Sequence, residues 1–280
     1  MKPRRPAVIL AYAILTVIVS VYMFPFFWMV STALKSKAEL YSYPPSVLPA
    51  SPTGESFVSV LSHRGYGRLL VNSLIASLSA VVGAVALSVL ITYPLTRMPV
   101  SARFRRVLLG WILSLRFLPP IVVVIPFFDI IRHLQLYDTR AALVLLYTVF
   151  GLPFAVWMLK GFMAEIPAEI EEAALVDGAT RLRAFFQILL PQMAPALLAA
   201  GVITFALTWS EFMFAFILTA SPQSQTFSIG VASLVTQFEI IWNEMAAAGT
   251  ISALVPIVLL LVARRYVVTA LTFGAVREKA

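Results

Sequence analysis

The chain has no cysteine, only two histidines and a charged fraction of 12%. Without cysteine it can form no disulfide bond and offers no thiolate ligand to a metal ion. His63 and His133 both fall in predicted loops, and histidines that bind a metal normally occur in clusters, so surface positions are the simpler interpretation. The phosphate-binding pattern G-x-x-x-x-G-K-S/T, the metalloprotease pattern H-E-x-x-H and paired carboxylates are also missing. We therefore expect no catalytic residue, no metal site and no cofactor on this chain, and an enzymatic function has no residues to support it.

Apolar residues are what the sequence has in abundance: they make up 60% of it, and the mean hydropathy is +0.92. They occur in blocks of about twenty residues, roughly the length that a helix needs to cross 30 Å of hydrocarbon. The fold class is therefore all-α, a polytopic membrane protein. Six membrane spans are predicted, at residues 7–32, 69–92, 107–131, 140–160, 191–217 and 249–263.

Lysine and arginine are distributed unevenly between the predicted loops. If the N-terminus is cytoplasmic, 14 of the 21 lie on the cytoplasmic side and six on the outer side, with Arg116 inside the third span. Cytoplasmic loops carry the excess of such residues, so both termini are predicted to be cytoplasmic. This bias also explains the net charge of +8, and no nucleic acid partner is expected. The predicted organisation is a first span with the extracytoplasmic loop that follows it (1–68), a transmembrane domain of spans two to six (69–264) and a cytoplasmic tail (265–280).

Two charged residues lie within predicted spans. Arg116 is about ten residues into the third span, where a charge is costly and usually faces a cavity or a partner. Glu211 is near the outer end of the fifth, close to Trp209. The two charges differ in depth by roughly 15 Å, so a direct pair is not expected. We take Arg116 and Glu211 as candidates for a water-filled pathway; the alternatives are a structural, hydrogen-bonded arginine and an acid that reaches water.

Prolines and aromatic residues are concentrated just after Arg116, in the segments Phe117-Leu118-Pro119-Pro120 and Pro126-Phe127-Phe128. They predict that the third span is broken or kinked. Irregular backbone at this depth is tolerated only where protein or a water-filled cavity satisfies its polar groups. An ordinary proline kink packed among neighbouring helices is the other interpretation.

A charged stretch between the fourth and fifth spans, residues 165–190, cannot lie in hydrocarbon; we call it the elbow. Pro167 suits the first turn of a helix, and the acidic residues that follow suit the positive end of its dipole. Gly178 suits the left-handed position at which that helix ends, and Thr180 can cap a second helix. Two short helices that meet at a sharp bend are therefore predicted.

Each predicted elbow helix has one apolar face. The first has a narrow face of small residues, and the second has a face with two phenylalanines that look exposed: Ile170, Ala173, Ala174 and Val176, and Leu182, Phe185, Phe186 and Leu189. These faces fit two interpretations equally well. The pair either lies on the membrane or under its own bundle, or it docks on a soluble partner, since an exposed phenylalanine is a typical interface anchor.

The elbow also carries a family signature. Glu172-Ala173-Ala174, Gly178 and Ile188-x-Leu190-Pro191 have the order and spacing of EAA-x₃-G-x₉-I-x-L-P. In this the chain resembles the membrane subunits of type I ABC importers. Further similarities indicate the carbohydrate branch and its smaller maltose/trehalose-type permease: Asn72-Ser73, Leu136-x-Asp138-Thr139, Leu152-Pro153-Phe154, Trp209-x-Glu211-Phe212 and the C-terminal LTFGAV.

The resemblance implies a sugar importer whose 69–264 region is an ABC transporter type-1 transmembrane domain. It adds Trp209 to Arg116 and Glu211 as candidates for the translocation pathway. It implies that the elbow is a pair of coupling helices, with contacts to a separate ATPase through Glu172, Ala173, Ala174, Asp177, Gly178, Phe185 and Pro191. The implied partners are a second, homologous permease, a dimer of ATPase subunits that binds ATP and magnesium, and an extracytoplasmic solute-binding protein touched by residues 219–248. The remaining implied partners are the sugar substrate and the lipid bilayer.

The implied location is the cytoplasmic (inner) membrane of a bacterium or archaeon. Three alternatives stay open: a permease for another solute such as glycerol phosphate, an ion-coupled secondary transporter, and a membrane-bound receptor or scaffold whose elbow recruits a soluble protein. The second would show acidic relays within its spans and inverted repeats, and neither is clear in the sequence.

Overall fold

The structure, a computed structural model, describes residues 5–237 and 239–273. The basic residues Lys2 and Arg4 and the last residues of the predicted tail, 274–280, lie outside the described residues, as does the end of the LTFGAV segment. Within the described part, the secondary structure is helical except for one isolated β-bridge between Val235 and Ile240. The predicted all-α class is confirmed.

Four continuous helices are long and apolar enough to cross a membrane, and two bent helix pairs raise the number of candidate spans to as many as six. The continuous helices are Arg5–Ala33 (span 1), Tyr66–Arg97 (span 2), Arg140–Glu165 (span 4) and Trp242–Phe273 (span 6). Span 6 is longer than the predicted 249–263 at both ends, because Trp242 to Ala248 precede that range and Arg264 to Phe273 follow it in the same helix, where residues 265–273 belong to the predicted tail. The prediction of six spans is consistent with this count.

The third span is broken, as its prolines predicted. Helix Ala102–Ser114 passes through a single 3₁₀ turn, Leu115–Phe117, and helix Pro120–His133 then leaves at an angle of 101°. Pro119 lacks the N–H that a continuing helix would need, and it holds the preceding Leu118 in an extended conformation.

The fifth span follows the elbow and is interrupted as well. Helix Ala194–Trp209 is bent by 67° from the preceding segment Arg181–Gln192. A short helix, Met213–Leu218, resumes after a break at residues 210–212. The interruption was not predicted, and the fifth span was expected to run without a break over 191–217.

Short helices occupy the polar segments. The loop after span 1 contains helices Lys37–Leu40 and Glu55–Val58, the latter continuing as a π turn over Ser59–His63. The segment between spans 5 and 6 contains helix Phe227–Ala232.

The chain divides into two compact units, Met1–Gly67 with Gly230–Leu254, and Arg68–Ile229 with Val255–Ala280. In the first unit, the Glu244 carboxylate accepts a hydrogen bond from the Ser59 hydroxyl at 2.9 Å and pairs with the Arg64 guanidinium. These bonds connect the start of span 6 to the short helices of the loop after span 1.

In the second unit, small residues bring spans 2, 4 and 5 close together. A Cβ built on Gly83 of span 2 would lie 2.9 Å from the Thr148 hydroxyl of span 4. A Cβ on Gly151 of span 4 would lie 2.8 Å from the Thr204 methyl group of span 5 and 3.5 Å from the Ala84 side chain of span 2. Close backbone approach of this kind is how helices pack where lipid supplies no hydrophobic driving force.

We predict that Gly151→Ala destabilises the second unit, because the added methyl group overlaps the Thr204 side chain. Overpacking of this size costs about 1–3 kcal/mol. Gly110→Ala is the matched control, since a Cβ at that helical glycine has nothing within 4 Å. The fraction of monodisperse protein that survives heating in detergent should fall at a lower temperature for Gly151→Ala alone. Equal survival of both variants would contradict the close packing.

Candidate functional site

The elbow consists of two short helical segments joined at Gly178. The first helix is Ala168–Val176, preceded by Pro167 as its N-terminal cap. Gly178 has a φ of +87°, and its N–H donates to the Leu175 carbonyl at 3.1 Å while the next N–H, of Ala179, donates to the Ala174 carbonyl at 2.9 Å. This pair of bonds is the Schellman motif, which requires a left-handed residue and therefore favours glycine. The predicted role of Gly178 in the bend is confirmed.

The second segment begins at the predicted cap. The Thr180 hydroxyl accepts a hydrogen bond from the Arg183 N–H at 3.3 Å, and helix Arg181–Ala184 continues as a π turn over Phe185–Leu189 and a last turn, Leu190–Gln192. Residues 165–190 thus form two short helical arms with a capped bend between them.

A buried carboxylate attaches the first arm to the end of span 2. The Tyr93 hydroxyl donates to Glu171 Oε1 at 2.5 Å, and Arg97 Nε lies 3.7 Å from Glu171 Oε2. Arg97 also donates through Nη2 to the Met163 carbonyl at 3.0 Å and to the Ile166 carbonyl at 2.6 Å, at the end of span 4. Both charged side chains are only 9% exposed. The first arm therefore has a fixed orientation relative to spans 2 and 4.

The second arm is attached by an aromatic contact. The rings of Phe185 and Tyr93 are packed with their centroids 4.6 Å apart, and Phe185 belongs to a buried cluster that includes Leu159, Met163 and Leu189. Tyr93 therefore contacts both arms, one through its hydroxyl group and the other through its ring.

The other faces of both arms are open. Val176 is 87% exposed, Leu182 is 70% exposed and Phe186 is 57% exposed, and Ile170 and Ala173 are exposed beside them. We call these five residues the docking face. The prediction that Ala174 shares this face is wrong, because Ala174 lies on the buried side with Glu171, three residues earlier. The expectation that both phenylalanines are exposed is likewise wrong for Phe185, which shares the buried side with Leu189, four residues on.

The residues predicted to contact an ATPase thus fall into two groups. Five of them are exposed, namely Glu172, Ala173, Asp177, Gly178 and Pro191. Ala174 and Phe185 are buried within the chain's own core. Any contribution of these two to coupling must be made through the shape of the elbow.

The three candidate pathway residues lie at breaks in the spans. Arg116 is exposed in the 3₁₀ turn at the bend of span 3. Trp209 ends the helix of span 5 and its ring stacks on Phe205, with centroids 5.4 Å apart. The Glu211 carboxylate, in the break that follows, accepts hydrogen bonds from the Phe214 N–H at 3.0 Å and the Ala215 N–H at 3.4 Å.

Glu211 therefore caps the short helix Met213–Leu218, a role that sequence reasoning did not assign. Among the described residues, the ion pairs within 4 Å involve Arg64, Arg97 and His133, and Arg116 is not one of them. A direct pair of Arg116 with Glu211 was not expected, and the described ion pairs include none. In the part of the chain that the structure describes, no group of three or more histidine or carboxylate side chains is arranged to hold a metal ion.

Sequence reasoning missed the attachment of the elbow. It included Glu171 only among the acidic residues at the favourable end of a helix dipole, and it included Arg97 only among the basic residues counted on the cytoplasmic side. One signal was available: Glu171 lies three residues before Ala174, on one face of a helix whose other acids, Glu169 and Glu172, lie elsewhere.

The apolar spans and the elbow between spans 4 and 5 define a multispanning membrane protein. The chain belongs to the family described as binding-protein-dependent transport system inner membrane component, whose model matches residues 85–272.

Three relatives match over nearly the whole chain. The sulfoquinovosyl glycerol transport system permease protein SmoH of Agrobacterium fabrum is 31% identical, over 91% of this chain and 89% of the relative. The trehalose transport system permease protein SugB of Mycobacterium tuberculosis is 31% identical, over 94% and 95%. The trehalose/maltose transport system permease protein MalG of Thermococcus litoralis is 30% identical, over 91% of each.

Solved structures share the fold. A chain of a bacterial ABC transporter that imports the acidic polysaccharide alginate superposes with a TM-score of 0.75, at 19% identity, over 95% of this chain and 98% of the other. A chain of the MetNI methionine ABC transporter, in an inward-facing conformation, superposes with a TM-score of 0.59 at 19% identity over 75% and 96%. The predicted ABC permease fold is confirmed.

We predict that Glu171→Ala loosens the elbow, because it leaves the buried Arg97 guanidinium without its counter-charge. Breaking a buried pair by removing one partner costs about 3 kcal/mol. Tyr93→Phe, which removes one hydrogen bond, should cost about 1 kcal/mol. Both costs should appear as lower thermal unfolding midpoints and faster trypsin cleavage after the exposed Arg181 and Arg183. Glu169→Ala, at an exposed acid of the same helix, is the control, and equal cleavage of all three variants would contradict the attachment.

Proposed function

We propose that this chain is a permease subunit of an ATP-driven sugar importer. The observation that carries the proposal is the similarity, over more than nine-tenths of the chain, to permease proteins named for sulfoquinovosyl glycerol, trehalose and trehalose/maltose transport. All three names describe solutes with a carbohydrate part. The family description adds a binding protein on which transport depends and an inner-membrane location. The proposed location is the cytoplasmic membrane of a bacterium or archaeon.

The elbow is the proposed contact with a separate ATPase. Its attached side consists of Glu171, Ala174 and Phe185, whereas the docking face is apolar and uncovered in this chain. Exposed aromatic and aliphatic side chains on a rigid element are typical of interface anchors. The chain has no phosphate-binding loop, so ATP and magnesium would be bound by the ATPase subunits. The outer face would in turn receive the solute-binding protein.

A rigid attachment suits the elbow to mechanical coupling. Closure of an ATPase dimer would displace the docking face, and the Glu171, Tyr93 and Arg97 contacts would pass that displacement to spans 2 and 4. Rigid-element movement of this type is a standard route between two conformations. The side chains of this permease make contacts and position its helices, and ATP is hydrolysed on the partner ATPase.

The pathway itself would be shared with a second, homologous permease. Arg116 is our first candidate for its lining, because it lies exposed at the 101° break of span 3. Irregular backbone within the bilayer must face protein or water. Trp209 and Glu211 are candidates of a different kind. Glu211 uses its carboxylate to cap a helix, so it would shape the pathway through the position of helix Met213–Leu218.

Uptake by the reconstituted transporter tests the proposed function. Vesicles that contain this chain with its neighbouring permease, ATPase and binding protein should take up radiolabelled sugar only with ATP on the ATPase side. Omitting the ATPase should reduce uptake to the level of empty vesicles. Uptake that persists without the ATPase, or that follows an imposed ion gradient, would instead identify a secondary transporter.

We predict that Gly178→Val abolishes coupling while the protein still inserts in the membrane. A Cβ at this position has nothing within 4 Å, so the obstacle is the backbone alone, at a φ of +87°. A β-branched residue at positive φ costs about 1–3 kcal/mol and would straighten the bend. Co-purification of the ATPase and ATP-driven uptake should both fall at least tenfold.

Gly178→Asn is the matched control, because asparagine tolerates the left-handed region better than other non-glycine residues. It should retain most of the ATPase binding. Similar losses in both variants would mean that the side chain, and not the bend, disturbs the interface. Normal transport by Gly178→Val would show that the bend does not matter to coupling.

A further inference from the structure

Ten residues that begin at the last residue of span 5, Leu218 to Phe227, are held by two other segments of the same unit. We call residues 218–227 the outer loop. One of the holding segments is the turn between spans 3 and 4, and the other is the first part of span 2. With the N-terminus cytoplasmic, all three lie on the outer side of the membrane. They are far apart in sequence, so their convergence is a product of the fold.

Asp138, in the turn before span 4, makes four bonds to the outer loop. Its N–H donates to the Leu218 carbonyl at 3.0 Å. Its carboxylate oxygen Oδ1 accepts from the Ala220 N–H at 2.8 Å, from the Ser221 N–H at 3.0 Å and from the Ser224 hydroxyl. A single oxygen thus accepts three hydrogen bonds from the loop.

The backbone and charge of Asp138 fit this arrangement. Its φ of +59° lies in the left-handed region, which aspartate and asparagine occupy more readily than other side chains. Burial raises the pKa of the carboxyl group, but the hydrogen bonds from Ser224, Ala220 and Ser221 outweigh it and hold the pKa well below its usual range. The carboxylate is therefore charged near neutral pH, and charge-assisted hydrogen bonds are stronger than neutral ones.

Span 2 holds the second half of the loop. The Asn72 side-chain amide donates to the Pro222 carbonyl at 3.1 Å and to the Gln225 carbonyl at 2.8 Å. The Ser73 hydroxyl accepts from the Phe227 N–H at 2.8 Å. Asn72 and Ser73 are 1% and 3% exposed. Most of the hydrogen bonds that fix the loop backbone are thus directed inward. Ala220, Pro222 and Gln223 are exposed, and Pro222 and Gln223 form the tip of the loop.

We infer that Asp138, assisted by Asn72 and Ser73, is a positioning residue for the docking of the solute-binding protein, because it keeps the outer loop in one conformation. This inference rests on the proposed function. A loop that is already ordered loses less conformational entropy when a partner binds, so its affinity is higher. The contact itself is made by the tip, Pro222 and Gln223, while Asp138 acts through the backbone behind it.

Stimulation of ATP hydrolysis by the binding protein tests the inference in the complete transporter, embedded in lipid nanodiscs. Asp138→Gly removes the carboxylate without a conformational penalty at φ +59°. It should raise the binding-protein concentration for half-maximal stimulation about tenfold, while the rate at saturation stays within about twofold. Asp138→Asn, which keeps a neutral acceptor oxygen, should give an intermediate value. Asp129→Asn is the control, since that side chain is 74% exposed on the preceding helix.

A second measurement follows the loop directly. The chain has no cysteine, so Gln223→Cys supplies a unique thiol for a nitroxide spin label in a transporter whose other subunits are free of cysteine. The label should be immobilised when Asp138 is present and should become mobile in the Asp138→Gly background. No change in its spectrum would overturn the inference.

The outcomes separate the two proposals. If the unaltered transporter is not stimulated by any binding protein, the proposed function itself fails. If it is stimulated and Asp138→Gly matches Asp129→Asn, the positioning role is wrong, and a fall in maximal rate without a change in half-saturation would overturn it in the same way. Should Asp138→Gly fail to assemble, Ser224→Ala removes one donor to the same carboxylate and must raise half-saturation in the same direction.

Discussion

Glu171 is a carboxylate in a place where a charge is costly, and the arrangement of the elbow depends on how that cost is met. Tyr93 donates a hydrogen bond to it, and Arg97 supplies the opposite charge 3.7 Å away. Because a buried charge without partners costs several kcal/mol, the first elbow helix has one orientation in which it can lie against span 2. That orientation turns Ile170, Ala173 and Val176 outward. The Gly178 bend then brings the second arm back, so that Phe185 packs on the ring of the same Tyr93.

The spans were predictable because hydrocarbon imposes one simple rule, that every backbone polar group must be satisfied within its own helix. Long apolar blocks therefore identified spans 1, 2 and 4 to within a few residues, and Pro119 and Pro120 identified the break in span 3. The angle of that break was beyond sequence reasoning, since it depends on which helices pack against each half. The start of span 6 at Trp242 was missed because Asn243 and Glu244 are polar, and Glu244 is satisfied by Ser59 and Arg64.

At the elbow, the features that could be predicted depend on residues close together in the sequence, and the features that could not depend on contacts between distant residues. Gly178 and Thr180 follow from backbone preferences that act over three or four residues, and both are where the sequence placed them. The bond between Tyr93 and Glu171 joins residues 78 positions apart, and no periodicity reports such a pair. Phe185 and Phe186 were indistinguishable for the same reason. An amphipathic pattern shows that a short helix has two faces, but only tertiary packing decides which face is covered.

The positive φ of Gly178 restricts how this position can change over generations. Every glycine codon is one base away from codons for alanine, valine, serine, arginine, aspartate, glutamate, cysteine or tryptophan, depending on the codon. Most of these side chains resist the left-handed region, and asparagine, which tolerates it best, is two base changes away. Aspartate is the one neighbour that combines a single base change with some tolerance of the conformation. A lineage that replaces this glycine by asparagine must therefore pass through another residue, and aspartate is the intermediate that best preserves the bend, so the genetic code restricts this position as well as backbone geometry.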